Sequence, residues 1–474
     1  MQSGMVWWWS GLVCALLVRI AWLATLQIPQ SLDELGHSLF HKSLSASADS
    51  RPINDEILPT NSAPSEQELA SLPLGSRYVI YFLVRNICAS SKELGVPWYW
   101  VLGGLQALLQ SAAIGGLSVV AWRMFGNRLL ATLTVLVAAM YPPSLLHLVS
   151  LSDLPLTSCL VTNWLALTLT SAATGGVFAS ALVGLFGGCL MVMRPGWGLA
   201  VVLVTVWHLW QLRRVWHGWL ASLAVVLALA NVCGTWFVRH WLQTGEPVPF
   251  APHFWQSLAD GLPPNLRSSE EKTVQDWREL AHRTLRTWQQ HTRLCLQYRL
   301  TVWGDVLVGE PAYEFGWPTV GPSAVACEPG DVHNSEQSPA LLPRQMPTSR
   351  PSEVPISEIP MPAWMRPAFV NGLLPATRWL FWLGVIFGWR WSFALHGTQW
   401  PMSATLGSVL LVYGFGPFAS FHWGLAGVEP IMLLYGLVAF TALIPGAWPK
   451  SITSSSSHMD QGDVSPMGSP TEQT

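Results

Sequence analysis

Two adjacent carboxylates, Asp33 and Glu34, stand in the stretch from Gln30 to His37, directly after the first long apolar run of the chain. A positioned carboxylate can take a proton from an attacking hydroxyl or amine, and two side by side raise the proton affinity of one of them. Ionisable groups at the mouth of a membrane-length segment are costly to hold there and point to function by default. The plainer reading of the pair is a solvated loop that begins after a helix. Further candidates recur along the chain: Asp153 before Leu154-Pro155, Arg194 in Met193-Arg194-Pro195-Gly196-Trp197, Arg239 with His240, and His422 and Glu429 flanking the last outer turn. Each has an ordinary alternative. Asp153 suits a helix N-cap, Arg194 can snorkel to headgroups, and a lone His422 suits a satisfied interfacial position. No HExxH, GxSxG, Walker-type loop or metal-spaced cluster occurs, which leaves protease, hydrolase-elbow and ATPase chemistry without support.

The elements that would position these groups are apolar. The chain has 474 residues, 50% of them hydrophobic and only 11% charged, with 28 Trp. Its mean hydropathy is +0.34. Soluble domains carry roughly twice that share of charge, and Trp is enriched at membrane–water interfaces. Apolar runs near the ~20 residues needed to cross a bilayer fall at 5–27, 97–122, 129–150, 154–173, 175–193, 196–212, 218–238, 376–396, 403–421 and 428–447. These imply an all-α polytopic membrane protein of about ten spans. The first is read as a retained span, because a basic leader and a small-residue cleavage site are missing. Among the runs, only Arg19 and Arg390 approach the middle of a span. A net charge of −2 without a basic patch argues against nucleic acid. None of the seven cysteines forms a CxxC pair, and four lie in apolar runs, so a structural zinc site is not expected; a loop pair, Cys295 with Cys327, stays open.

Arg123 and Arg128 lie between the second and third runs, and Arg213 and Arg214 between the sixth and seventh. By the positive-inside rule these turns are cytoplasmic. Asp33, Glu34, Asp153, Arg194, Arg239, His422 and Glu429 then all face outward. The layout divides into N-terminal membrane helices over 1–238, with a first outer loop at 28–96; an outer segment over 239–375; C-terminal membrane helices over 376–449; and a disordered tail over 450–474. In the first outer loop, 43–75 reads as a flexible connection and 78–88 as a short interfacial helix. The outer segment holds one amphipathic helix over 274–303, with Trp277, Leu280, Ala281, Leu285, Trp288, Cys295, Leu296, Leu300 and Trp303 on one face and Arg278, Arg283, Arg286 and Arg293 on the rest. That pattern suits a helix lying in the headgroup plane or one packed on the other outer loops. A low-complexity insertion rich in Pro, Ser and Glu follows at 304–366.

The order of short motifs carries a resemblance. Asp33-Glu34 after the first run, Trp122-Arg123-Met124-Phe125-Gly126 ending the second, Asp153 after the third, Met193-Arg194-Pro195 opening the sixth, and Thr235-Trp236-Phe237-Val238-Arg239-His240 with Gly245 closing the seventh are similar to membrane glycosyltransferases of the GT-C fold. These are the protein-mannosyltransferase-like and aminoarabinose-transferase-like enzymes, which use a polyprenyl-phosphate-linked sugar. The likeness covers 1–303 well and 376–447 weakly. It implies transfer of a sugar from a lipid-phosphate donor to a lipid, protein or polysaccharide acceptor outside a bacterial plasma membrane. It also implies Asp33 as the base and Glu34 as an acceptor-positioning or tuning group. Arg194, Arg239 and His422 are then candidates to hold the donor phosphate, and Asp153 could hold a divalent ion or orient one of these cations. Where the family has an arginine in its late motif, this chain offers His422 in the stretch from Phe421 to Pro430. Two other classes stay open on the residues alone: a lipid or sugar transporter, and a non-catalytic assembly protein with the same fold.

Overall fold

The computed structural model describes residues 2–25, 98–141, 154–215, 218–244, 277–308, 382–392, 400–414 and 421–444, with isolated positions such as Ser144, Leu145, Leu148, Ala447 and Trp448. Every regular element among them is helical. These are α1 (Gln2–Thr25), α2 (Trp98–Phe125), α3 (Arg128–Met140), α4 (Leu154–Thr174), α5 (Val177–Met193), α6 (Gly198–Leu212), α7 (Gly218–Thr244), α8 (Trp277–Gln290), α9 (Thr292–Val308), α10 (Trp400–Gly414) and α11 (Phe421–Ala442). A short 3-10 turn, Pro195–Trp197, joins α5 to α6, and a further helical stretch covers 382–392. Asp33, Glu34 and Asp153 lie outside the described residues, as do 43–75, 78–88, Cys327 and the 450–474 tail, apart from scattered positions none of these includes.

Among the described residues, four helices are long and apolar enough to cross a membrane: Gly4–Ala24, Trp100–Phe125, Leu154–Thr174 and Gly218–Arg239. Five further apolar helices are shorter. Their outward surfaces are apolar rather than charged. On α1, Met5, Val6, Trp9, Val13, Leu17 and Ile20 are exposed at helical spacing, and α7 exposes Trp219, Leu223, Val226, Leu227 and Trp241. Such faces call for lipid as their solvent. The chain is a helical membrane protein.

Three boundaries differ from the sequence reading. Within the apolar run at 129–150, α3 ends at Met140, where Tyr141 turns extended (φ −63°, ψ 111°), and Ser144 and Leu145 are helical again. Pro142 explains the stop, since the residue before a proline is pushed out of the helical region. The expected helix at 274–303 is instead two, α8 and α9, with a turn at His291, and α9 continues to Val308. His422 and Glu429 do not flank a turn; both lie within α11, whose first turns contain them.

Helix packing rests on close approach. A Cβ at Gly115 of α2 would sit 2.8 Å from the Trp8 carbonyl oxygen of α1, and one at Gly116 would sit 2.9 Å from the Asn163 nitrogen of α4. At this crossing Trp8 Nε1 donates to Asn163 Oδ1 (2.9 Å), and Asn163 Nδ2 donates to the Ala112 carbonyl (3.0 Å). Gly4 lies beside the Arg123 guanidinium and Gly103 beside Leu23, so α1 and α2 run antiparallel. Helices α5 and α7 run parallel, since Gly184 faces Val225 and Gly188 faces Val232. At one end of the bundle, Asn127 caps α3 through Leu130 N (3.2 Å) and donates from Nδ2 to the Ala447 carbonyl (2.9 Å), beside Arg123 and Arg128. Arg19, Ser144, Leu154 and Ser158 mark the opposite end.

A Cβ at Gly184 would come 2.2 Å from the Val225 carbonyl oxygen, whereas Gly234 on α7 has nothing within 4 Å. Gly184→Leu is therefore expected to destabilise by at least the ~1–3 kcal/mol of an overpacked core. Gly234→Ala should be neutral or stabilising by up to about 1 kcal/mol, the helix-propensity gain. Thermal unfolding of the purified protein in detergent checks both.

Candidate functional site

Arg19 is the one charged residue of helix α1, and its side chain is 0% exposed. Burying a guanidinium away from water costs several kcal/mol unless hydrogen bonds replace the lost hydration. Here Nε donates to Gln110 Oε1 (3.1 Å), Nη1 to the Ala15 carbonyl (3.3 Å) and Nη2 to Ser144 Oγ (3.0 Å). Gln110 projects from α2. Ser144 is available because α3 has already stopped: the Tyr141 carbonyl accepts from Ser144 N (3.1 Å), Leu145 N (3.3 Å) and Ser144 Oγ (2.9 Å). Ser144 Oγ thus gives its one proton to the Tyr141 carbonyl and accepts from Arg19, which leaves one lone pair.

Arg19 lines a cavity of about 60 Å³. Its polar wall adds Gln110, Tyr141, Ser144, Ser158 of α4 and Glu429 of α11; Ile114 and Leu117 of α2 and Leu433 of α11 supply apolar wall. Pro430 sits inside α11 next to Glu429. A proline there removes one backbone N–H and so frees the carbonyl four residues earlier, at position 426. In membrane helices such a break is tolerated where it borders a cavity or a neighbouring helix.

The other sequence-derived candidates are dispersed relative to this cavity. Arg194 is the C-cap of α5, its backbone N–H bonded to the Leu190 carbonyl (2.9 Å), and it is 8% exposed. Arg239 is on α7 with its guanidinium 5.4 Å from the Trp236 ring centroid. Neither lines the Arg19 cavity. They do share a level. From the Gly188–Val232 contact, Arg194 is six residues on and Arg239 seven, so at 1.5 Å per residue both stand ~9–11 Å further along neighbouring parallel helices. That end is the one remote from Arg123, Arg128 and the Arg213 turn, where Val215 meets Gly175. Of His240 and His422 only the helical backbone is described. Among the described residues, no group of three His, Cys, Asp or Glu assembles to hold a metal ion.

Two polar features were not singled out from sequence. Gln106 and Gln110 lie four apart on α2, both buried, and polar pairs at helical spacing in an apolar run are the signal that would have found this wall. Ser171 Oγ and His208 Nε2 meet at 3.2 Å between α4 and α6, both fully buried; the pair joins two helices. On α8 and α9, Leu280, Ala281, Thr284, Cys295 and Arg299 are buried while Leu285, Leu296 and Leu300 are exposed. The buried stripe is therefore narrower than the apolar face drawn from sequence. Burial pushes the Cys295 thiol up, partly offset by Arg299.

No protein-family model, curated protein or solved structure matches the chain.

Gln110→Leu is expected to cost about 1–3 kcal/mol, because it strands a buried charged donor at Arg19 Nε; thermal unfolding in detergent measures it. Cys295 should react with a maleimide at neutral pH only slowly until the protein is denatured, since thiolate and access are both suppressed. Mass spectrometry of the labelled peptides before and after denaturation reads this directly.

Proposed function

We propose that this helical membrane protein transfers a sugar from a polyprenyl-phosphate donor to an acceptor, at the bundle end that carries Arg194 and Arg239. The observation that supports it is the placement of those two arginines at one level of neighbouring parallel helices, in the positions where the motif order of the sequence calls for cations. Multiple crossings of a bacterial plasma membrane, with this end outward, belong to the same proposal.

The chemistry is a single displacement with inversion, in the manner of an inverting glycosidase. Asp33 takes the proton from the acceptor hydroxyl or amine. The acceptor atom bonds to the anomeric carbon, and the bond from that carbon to the phosphate oxygen breaks, its electron pair leaving with the phosphate. Negative charge grows on that phosphate in the transition state, and fixed cations lower its energy. Arg194 and Arg239 fill this role, with His422 as a third candidate. Glu34 positions the acceptor, and Asp153 orients a cation or holds a divalent ion.

A second reading has its own support. Arg19 and Glu429 are opposite charges lining a cavity inside the bundle, and intramembrane ionisable groups mark transport pathways. Transport would move substrate across a sealed vesicle without forming a new bond.

In liposomes supplied with radiolabelled polyprenyl-phosphate sugars and a membrane extract, the purified protein should form a new glycoside. Asp33→Asn should abolish it while the protein stays folded. Removing an electrostatic donor to the leaving group typically costs ~10²–10³ in rate, and Arg194→Gln is expected to fall in that range. Full transfer by Asp33→Asn sinks the base assignment; label accumulating inside vesicles with no glycoside favours transport.

A further inference from the structure

The sugar-transfer reading leaves the Arg19 cavity without a role, since Arg194 and Arg239 do not line it. A guanidinium carries five N–H donors in a rigid fork. At Arg19 three are used on Gln110, Ala15 and Ser144, which leaves two without a partner among the described residues. The side chain is nonetheless fully buried and borders the cavity. A tie between α1, α2 and Ser144 needs no permanent charge; an amide or hydroxyl would serve. An arginine cannot shed its proton to escape the cost of burial. The unfilled half of its fork suits the paired oxygens of an anion.

Size and layering narrow the ligand. A cavity of about 60 Å³ has room for roughly four waters by the volume each requires, or for one oxyanion head. Depth is ordered along two helices. On α2, Gln110 lies nearer the Arg19 end than Ile114 and Leu117; on α11, Glu429 lies nearer it than Leu433. Polar groups thus sit toward the bundle end and apolar wall continues inward, the same order as headgroup and chain in a membrane leaflet.

We propose that this cavity receives the oxyanion head, a phosphate or a carboxylate, of a single-chain membrane lipid. Arg19 holds the anion, Ser158 donates to it, and the chain runs inward over Ile114, Leu117 and Leu433. Glu429 borders the same cavity, where a carboxylate opposes the anion and disfavours a dianion. The inference stands on the membrane fold and the Arg19 geometry, so it survives if no sugar is transferred.

The test measures binding to the full-length protein in detergent by native mass spectrometry, with dodecyl phosphate, dodecanoic acid, dodecanol and inorganic phosphate as probes. A charge-assisted pair is worth about 1.5–3 kcal/mol, so the two anionic lipids should bind about tenfold or more tighter than dodecanol. Arg19→Gln should erase that preference, and Arg19→Lys should keep part of it. Glu429→Gln should tighten both anionic lipids by removing the opposing charge. Leu433→Trp, which fills apolar wall and leaves the Arg19 bonds intact, should weaken the lipids but not inorganic phosphate. Dodecanol binding as well as the anions, or an undiminished preference in Arg19→Gln, overturns the proposal. Weaker anion binding in Glu429→Gln overturns it too, because the site would then be reading a cationic or zwitterionic group. Inorganic phosphate binding as tightly as dodecyl phosphate overturns the lipid assignment.

Discussion

Lipid tails are as apolar as leucine, so helices within a bilayer gain little by hiding apolar surface from one another and must associate through close packing and hydrogen bonds. This chain meets that constraint in the same way at three places. Where α1, α2 and α4 cross, Gly115 and Gly116 let backbones touch and the Asn163 amide bridges Trp8 to Ala112. Where α5 meets α7, Gly184 and Gly188 do the same without a polar bridge. Near the C-terminus, Gly388 comes up against the Tyr435 backbone, and Trp389, Ser403 and the Tyr435 hydroxyl form a chain of hydrogen bonds at 3.1 and 2.9 Å. The difference between them shows in burial. Helix α7 has only 11% of its apolar window buried, against 72% for α2, so α2 is the axle of the bundle and α7 is its rim.

Arg19 is the exception that this packing permits. Small residues bring α1 and α2 close enough for Arg19 to reach Gln110, and Pro142 stops α3 soon enough to hand Ser144 to the same guanidinium. Neither feature would hold the charge by itself. Together they replace enough of its hydration to keep an ion where the surrounding helices are apolar, and they leave a space beside it. The cavity is thus a by-product of how the charge is satisfied, with α4 and α11 closing its other sides.

Much of this was readable from the residues. The long apolar runs and the sites of the basic turns follow from composition and spacing, and α1, α2, α4 and α7 fall close to the runs that foretold them. Arg19 stood out as the charge nearest the middle of a run, yet its partners did not. Ser144 lies 125 residues away and Gln110 91, and nothing local in either signals the pairing. The early end of α3 was written in Tyr141-Pro142-Pro143, but the apolar residues on both sides masked it. On α8 and α9 the periodicity was real, while the choice of which leucines to bury depended on a turn at His291 that hydropathy does not register. Glu429 was misplaced for a related reason: the apolar runs stop at 421 and restart at 428, whereas α11 continues through Pro430, which a membrane helix tolerates where neighbours meet the freed backbone group.

The amide of Asn127 reaches across 320 residues to the Ala447 carbonyl, and α11 supplies Glu429 and Leu433 to the cavity. This has a consequence for biosynthesis. A ribosome delivers α1, α2 and α3 to the membrane long before it reaches α11. Until then one wall of the Arg19 cavity is missing, and the nascent bundle holds a cation that is only partly enclosed. Helix α11 completes a structure that α1, α2 and α3 begin.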